Sequence, residues 1–200
     1  MREAYTYAQT KGQGPLVFTF HGTGGDEHQF HGLAGELYPG ASVISPRGDV
    51  SEYGAARYFR RTGEGVYDMD DLAARTARMA DFMRAHIDVV APSRVAAMGY
   101  SNGANILASV TFDDPALVDE VVLMHPLIPF SPPDAPSTAR ILMTAGRNDP
   151  ICPAPQTERL DAYFRAQGAD IRTVWHEGGH ELRQTELVAL QDFIREGALT

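Results

Sequence analysis

The segment Gly99-Tyr100-Ser101-Asn102-Gly103 follows an apolar run, Arg94 to Met98, and precedes a helix-like stretch, Ala104 to Ala108, so Ser101 falls on a strand-to-helix turn. A turn this sharp puts the serine in a strained backbone conformation, and glycines two residues to either side remove the Cβ atoms that would collide. The hydroxyl is then presented beside the backbone N–H groups of a helix start. A serine hydroxyl is a poor nucleophile at neutral pH and needs a base to take its proton and an acid to orient that base. Both are expected downstream, each at the carboxyl end of a strand. Ala139 to Ala145 reads as a buried strand that leaves into Gly146-Arg147-Asn148-Asp149-Pro150-Ile151, which makes Asp149 the acid. Ile171 to His176 reads as the last strand, followed by Glu177-Gly178-Gly179-His180, which makes His180 the base.

Other carboxylates and imidazoles fit less well. Asp113, Asp114, Asp119, Asp134 and Asp170 sit at element ends or in connections and read as solvated charges, whereas Asp149 lies just past a strand end. His28, His31 and His86 occupy helical stretches and read as surface or packing residues. His176 ends the strand that leads to His180, but a strand-terminal histidine reads as half-buried packing, while two glycines before His180 let its loop fold back toward Ser101. The short apolar run Leu16 to Phe20 ends in His21-Gly22-Thr23-Gly24-Gly25-Asp26, a loop suited to presenting backbone donors. The N–H groups of Thr23 and Asn102 are the expected oxyanion hole. A glycine-rich loop after a strand can also cradle a phosphate. Neither G-x-x-x-x-G-K-[ST] nor G-x-G-x-x-G follows any strand here, which weakens a nucleotide reading. The seven histidines show no H-x-x-x-H pair on a plausible metal helix, so no metal and no other cofactor is expected.

His21-Gly22-Thr23-Gly24-Gly25, Gly99-Tyr100-Ser101-Asn102-Gly103-Ala104-Asn105, Asp149-Pro150 and Gly179-His180 resemble the small serine carboxylesterases of the phospholipase/carboxylesterase group within the α/β hydrolases. Ser45-Pro46-Arg47-Gly48 and Phe59-Arg60-Arg61-Thr62-Gly63-Glu64-Gly65-Val66-Tyr67-Asp68 resemble the bacterial branch associated with hydroquinone resistance, and the resemblance runs over nearly the whole chain. It implies Ser101 as nucleophile, His180 as base, Asp149 as orienter, and ester or thioester hydrolysis. The group also includes dienelactone-hydrolase-like relatives with a cysteine nucleophile, from which this chain departs. Its one cysteine, Cys152, falls three residues after Asp149 and reads as a small loop or packing residue.

The elements that must position these residues alternate strand with helix, the pattern of a mostly parallel sheet covered on both faces. Two hundred residues, 44% hydrophobic and 22% charged, fit one α/β-hydrolase domain over residues 1–200. Glu3 to Ala8 reads as an edge strand, paired antiparallel with Leu16 to Phe20 across the turn Lys11 to Pro15. Ala41 to Ser45, Arg94 to Met98, Glu120 to Met124, Arg140 to Ala145 and Ile171 to His176 are the remaining strands. Met69 to Val90 is the clearest helix, with apolar residues at steps of three and four and Asp68 placed to cap it.

Only His125 to Thr138 separates two strands after the nucleophile helix, too short and proline-rich for a helical lid. It reads as a stiff loop bordering the cleft. The connection from Arg47 to Tyr67 is the expected opposite wall. The pocket candidates are His21, Gly22, Phe59, Arg60, Arg61, Val66, Tyr67, His125 and Ile151. An inward Arg60 or Arg61 would favour an anionic substrate. A net charge of −9 argues against nucleic acid or an anionic membrane as partner. No apolar stretch approaches the roughly 20 residues of a membrane span, no basic leader is evident, and one cysteine excludes an internal disulfide, so a cytoplasmic monomer or homodimer is expected. The reading is an esterase or thioesterase for short acyl groups. The alternatives are a hydrolase of lactones, ring-fission products or carbon-carbon bonds in aromatic or quinone catabolism, and a non-catalytic binding module on the same fold.

Overall fold

The computed structural model describes residues 2–198. Strands β1 (Tyr7–Thr10), β2 (Leu16–Phe20) and β3 (Ser42–Pro46) are followed by two small hairpins, β4 (Val50–Glu52) with β5 (Ala55–Arg57) and β6 (Arg61–Gly63) with β7 (Val66–Tyr67). Then come β8 (Val95–Tyr100), β9 (Glu120–Met124), β10 (Arg140–Gly146) and β11 (Asp170–His176). The helices are α1 (His31–Leu37), α2 (Met69–Val90), α3 (Asn102–Asp113), α4 (Ala154–Ala166) and α5 (Gln184–Gly197). Seven strands form the central sheet in the order β1-β3-β2-β8-β9-β10-β11, and every pair except β1 with β3 is parallel.

Side chains alternate across β2, as the two-residue period of a strand requires. Leu16, Phe18 and Phe20 join the core under α2, α3 and α4, while Val17 joins the core under α1 and α5. Helix α2 has the bounds its periodicity predicts. Asp68 caps it, its carboxylate accepting the Asp71 N–H at 3.0 Å. Its Leu72, Met79, Phe82 and Met83 are buried against the sheet, so the methionines are core filler. No helix of the described residues is long and apolar enough to cross a membrane.

The first strand departs from expectation. Residues 2–4 form a 3-10 turn, and β1 pairs antiparallel with β3, Tyr7 opposite Pro46 and Thr10 opposite Val43, rather than with β2. Both edges of β2 are already taken, by β3 on one side and β8 on the other. The breaker-rich turn docks on the start of β3 instead: the N–H groups of Gln13 and Gly14 both donate to the Gly40 carbonyl. That connection carries the chain across β3 rather than folding it back in a tight hairpin.

The turn between β8 and α3 depends on two glycines. A Cβ on Gly99 would stand 2.5 Å from the Gly103 carbonyl oxygen, and one on Gly103 would stand 2.3 Å from that of Phe20 and 2.4 Å from that of His21. Helix α3 thus begins against bare backbone of β2 and β8. Substitution Gly103→Ala is expected to destabilise the protein by about 3 kcal/mol, since rigid backbone rather than a movable side chain must give way. Urea denaturation measures this; an unchanged midpoint would mean that the helix is not seated so closely.

Candidate active site

Ser101 occupies the turn with φ 53° and ψ −117°, a left-handed conformation that a non-glycine residue holds only when its surroundings enforce it. Its N–H donates to the Met124 carbonyl and its own carbonyl accepts from Asn105, both at 2.9 Å. The hydroxyl lies 2.9 Å from His180 Nε2, and His180 Nδ1 lies 2.7 Å from Asp149 Oδ2. The three residues named from sequence are therefore joined in one hydrogen-bonded run across the carboxyl ends of β8, β10 and β11.

Two loops must meet for this. A Cβ on Gly146 would fall 2.1 Å from the Gly179 carbonyl oxygen, so only glycine there admits the approach. Asn148 N–H donates to the Gly178 carbonyl at 2.9 Å, and the Asn148 amide donates to the Glu177 carbonyl at 2.8 Å. The Arg147 guanidinium lies 4.1 Å over the Trp175 ring, adding a cation–π contact between the same two segments. From the other side the Tyr100 hydroxyl donates to the His180 carbonyl at 2.6 Å. Burial pushes the Asp149 carboxyl up, but the Cys152 N–H, His125 and His180 outweigh it and hold it below the usual carboxylate range.

The Ser101 hydroxyl opens into a cavity of about 320 Å³ that Thr23 and Asn102 also line. Their segments are braced from the β5 region. Arg57, itself buried, donates from Nη1 to the Thr23 hydroxyl at 2.7 Å, Gly24 N–H donates to the Ala56 carbonyl at 2.9 Å, and Tyr58 N–H donates to Asn102 Oδ1 at 2.8 Å. Burial pushes the Arg57 pKa down from its ordinary value. On the far wall the Tyr67 hydroxyl accepts from the Asn105 amide and donates to the Leu127 carbonyl, while Leu127 N–H donates to Asn105 Oδ1. This ring of bonds ties α3, the β6–β7 hairpin and the proline-rich loop together. Among the described residues, 126–139 hold neither helix nor strand, in keeping with a cleft without a helical lid there.

Of the remaining pocket candidates, Arg61, Tyr67 and Ile151 line the cavity and six do not. His21 is buried behind it, stacked on Tyr58 at 4.7 Å, with Nε2 accepting the Gly48 N–H at 2.9 Å; burial lowers its pKa. Gly22 packs against Tyr100 and donates its N–H to the Gln29 side chain. Phe59 is fully buried in the core, and Val66 is exposed. Arg60 turns outward to Asp68 and Asp71. His125 lies beneath the cavity, its side chain 0% exposed, 2.8 Å from Asp149 and 3.0 Å from Glu186. His176 is also buried and faces Glu186 rather than solvent.

Sequence reasoning missed Arg57, Glu64, Tyr100, Asn105, Leu127 and Cys152 as lining residues. Asn105 could have been found, because it lies one helical turn after Ser101 and faces the same way. Cys152 is both a packing residue and a wall residue: its thiol donates to the His125 carbonyl at 3.2 Å, and burial, then the Asp149 charge, pushes its pKa up. The pocket charges balance locally. Arg61 pairs with Glu52 at 2.9 Å and Glu64 at 2.7 Å, and Arg57 approaches Glu52 at 3.5 Å.

Comparison with known proteins agrees with this architecture. Residues 33–185 match the dienelactone hydrolase family. The chain is 37% identical over 185 residues to MhqD of Bacillus subtilis (strain 168), which is named as a hydrolase, covering 90% of this chain and 92% of that one. Among solved structures, protein Atu2452 of Agrobacterium tumefaciens str. C58, described as of unknown function, superimposes with a TM-score of 0.94 at 49% identity, covering 98% of each chain. A Bacillus cereus carboxylesterase superimposes with a TM-score of 0.91 at 33% identity, covering 96% of this chain and 94% of that one. The chain belongs to the dienelactone hydrolase family and is an α/β-fold hydrolase of the dienelactone hydrolase/carboxylesterase type.

Proposed function

We propose that the protein is a serine esterase that cleaves small, short-acyl esters or thioesters through an acyl-enzyme on Ser101. The observation that carries this is the unbroken run from Ser101 Oγ through His180 to Asp149, at 2.9 and 2.7 Å, opening into the cavity. In this reading His180 takes the Ser101 proton as Oγ attacks the carbonyl carbon, and Asp149 holds the imidazole with Nε2 toward the serine. The N–H groups of Thr23 and Asn102 receive the oxyanion. His180 returns the proton to the departing alcohol or thiol, then activates the water that releases the acid. A second reading, lactone hydrolysis, is favoured by the family match: a lactone is an internal ester, and the same attack opens its ring while the leaving oxygen stays tethered.

Substitution Ser101→Ala is expected to lower turnover of p-nitrophenyl acetate by about 10⁵-fold or more and to abolish the single fluorophosphonate adduct seen by intact mass. Asp149→Asn should cost roughly 10⁴-fold. An adduct persisting in Ser101→Ala would move the nucleophile elsewhere. A cavity of about 320 Å³ suits short acyl groups, so kcat/KM should fall from acetate and butyrate to long-chain esters; a rise along that series would overturn the size argument. Because Glu52 and Glu64 offset Arg61, the double substitution Arg61→Ala with Glu64→Ala leaves Glu52 opposite Arg57 and should affect neutral and anionic esters alike, and a selective loss of anionic ones would establish charge recognition.

A further inference from the structure

Behind the proposed triad lies a second set of ionisable side chains with no access to the cavity. His125 follows β9 with φ 52°, a left-handed backbone that turns its ring inward. Its Nδ1 is 2.8 Å from Asp149 Oδ2, the same oxygen that His180 engages, and its Nε2 is 3.0 Å from Glu186 Oε1. The side chains of His125, Asp149 and Glu186 are 0%, 0% and 1% exposed. An imidazole set between two carboxylates can satisfy both only by donating from both nitrogens.

The neighbours show that both carboxylates are acceptors. Asp149 Oδ1 receives the Ile151 and Cys152 N–H groups at 2.8 and 2.9 Å. Glu186 Oε1 receives the Thr144 hydroxyl at 2.6 Å, and Oε2 receives the Arg183 N–H at 2.7 Å. A carboxylate filled this way stays ionised. His176, the other imidazole here, accepts the Gly178 N–H at Nδ1, so its proton is on Nε2, 3.2 Å from Glu186 Oε2 and 3.5 Å from His125 Nε2. With that proton in place His176 Nε2 has no lone pair for a metal, although His125, His176 and Glu186 converge as a ligand set would.

We propose that His125 is a positioning residue of the hydrolytic centre, a fully buried imidazolium pinned by Glu186 that holds Asp149 as an ionised acceptor behind His180. The inference rests on the serine-esterase reading. His125 keeps both protons through the cycle, and every proton that moves passes through His180, from Ser101 to the leaving group and then from the attacking water back to Ser101. Burial alone would lower the His125 pKa, but the hydrogen bonds and charges of Glu186 and Asp149 outweigh it and raise it. Burial pushes the Glu186 carboxyl up, but His125, the Thr144 hydroxyl and the Arg183 N–H outweigh it and hold it below its ordinary value. The ionisable groups around His125 among the described residues are Asp149, Glu186, His176, His180, the Tyr100 phenol, whose ring stands 5.9 Å away, and the Cys152 thiol, which donates to the His125 carbonyl.

Two consequences separate this role from packing. The His125 and His180 rings are 5.1 Å apart, so a cation at His125 acts on the charge that develops on His180 as it takes the Ser101 proton. Because His125 touches no part of the cavity, its loss should fall on kcat rather than KM. On p-nitrophenyl acetate, His125→Asn and Glu186→Gln are each expected to lower kcat about tenfold or more with KM within about twofold. His125→Asn, which removes that cation, should displace the acidic limb of the kcat/KM profile. A loss equal at every pH, with the limb unmoved, would reduce His125 to a structural part and overturn the proposal.

The wild type supplies a test that needs no variant to fold. With ¹⁵N-histidine labelling, one ring at pH 8 should carry protons on both nitrogens; absence of any such ring overturns the proposal. A wild type that neither turns over ester nor takes a fluorophosphonate would defeat the serine reading itself. An active wild type lacking the imidazolium defeats only the role given to His125.

Discussion

No side chain fits between the end of β8 and the first turn of α3, and from that exclusion the rest of the site follows. Gly99 and Gly103 let the helix start against the backbone of β8 and β2, and the chain can make the turn only by giving Ser101 a positive φ. Such a conformation costs about 1–3 kcal/mol. The cost is offset by the Ser101 N–H bond to Met124 and by the burial of Ile106, Leu107, Val110 and Phe112 along the helix. Ser101 is therefore held by backbone-to-backbone packing that admits no Cβ on either flanking glycine.

Thr23, Leu127, Ile151, Cys152 and His180 reach the cavity from loops, and each loop is fixed by a polar bond to a neighbour rather than by its own regular structure. The segment after β2 leans on Arg57 and Ala56, the loop after β10 on the loop after β11, and the proline-rich connection on Asn105 and Tyr67. Loops tolerate this role because the sheet beneath them, filled on both faces, does not move. The small hairpins between β3 and α2 complete the wall and carry its charges in compensated pairs. A wall that is polar yet locally neutral orients a substrate without demanding that it be an ion.

The strand-turn-helix at Ser101, the placement of Asp149 and His180 just past the ends of β10 and β11, and helix α2 with its cap were legible because each is a local pattern: glycine spacing, strand ends, and a long apolar period. The pairing of β1 was not, since which strand edge is free depends on where β3 and β8 come to lie. Loop walls were misjudged for a related reason. Arg60 and Arg61 are adjacent in sequence, yet one turns to Asp68 and solvent and the other to the cavity, and no periodicity in a loop announces the difference. His125 read as a cleft residue because it opens the proline-rich connection expected to border the cleft. Its left-handed backbone, invisible in the sequence, sends it below the cleft instead.

The stacking of Arg147 on Trp175 gives the molecule an optical handle. The chain has a single tryptophan, one residue before His176 and therefore at the root of the segment that carries His180, while Arg147 lies two residues before Asp149. A guanidinium 4.1 Å from the indole changes the ring's surroundings when it departs. Native fluorescence, with no second tryptophan to blur it, thus reports the seating of the Asp149 loop on the His180 loop together with the integrity of β11, the strand that carries Trp175. An Arg147→Ala variant separates the two in unlabelled protein, because it removes the guanidinium from the ring and leaves the strand in place.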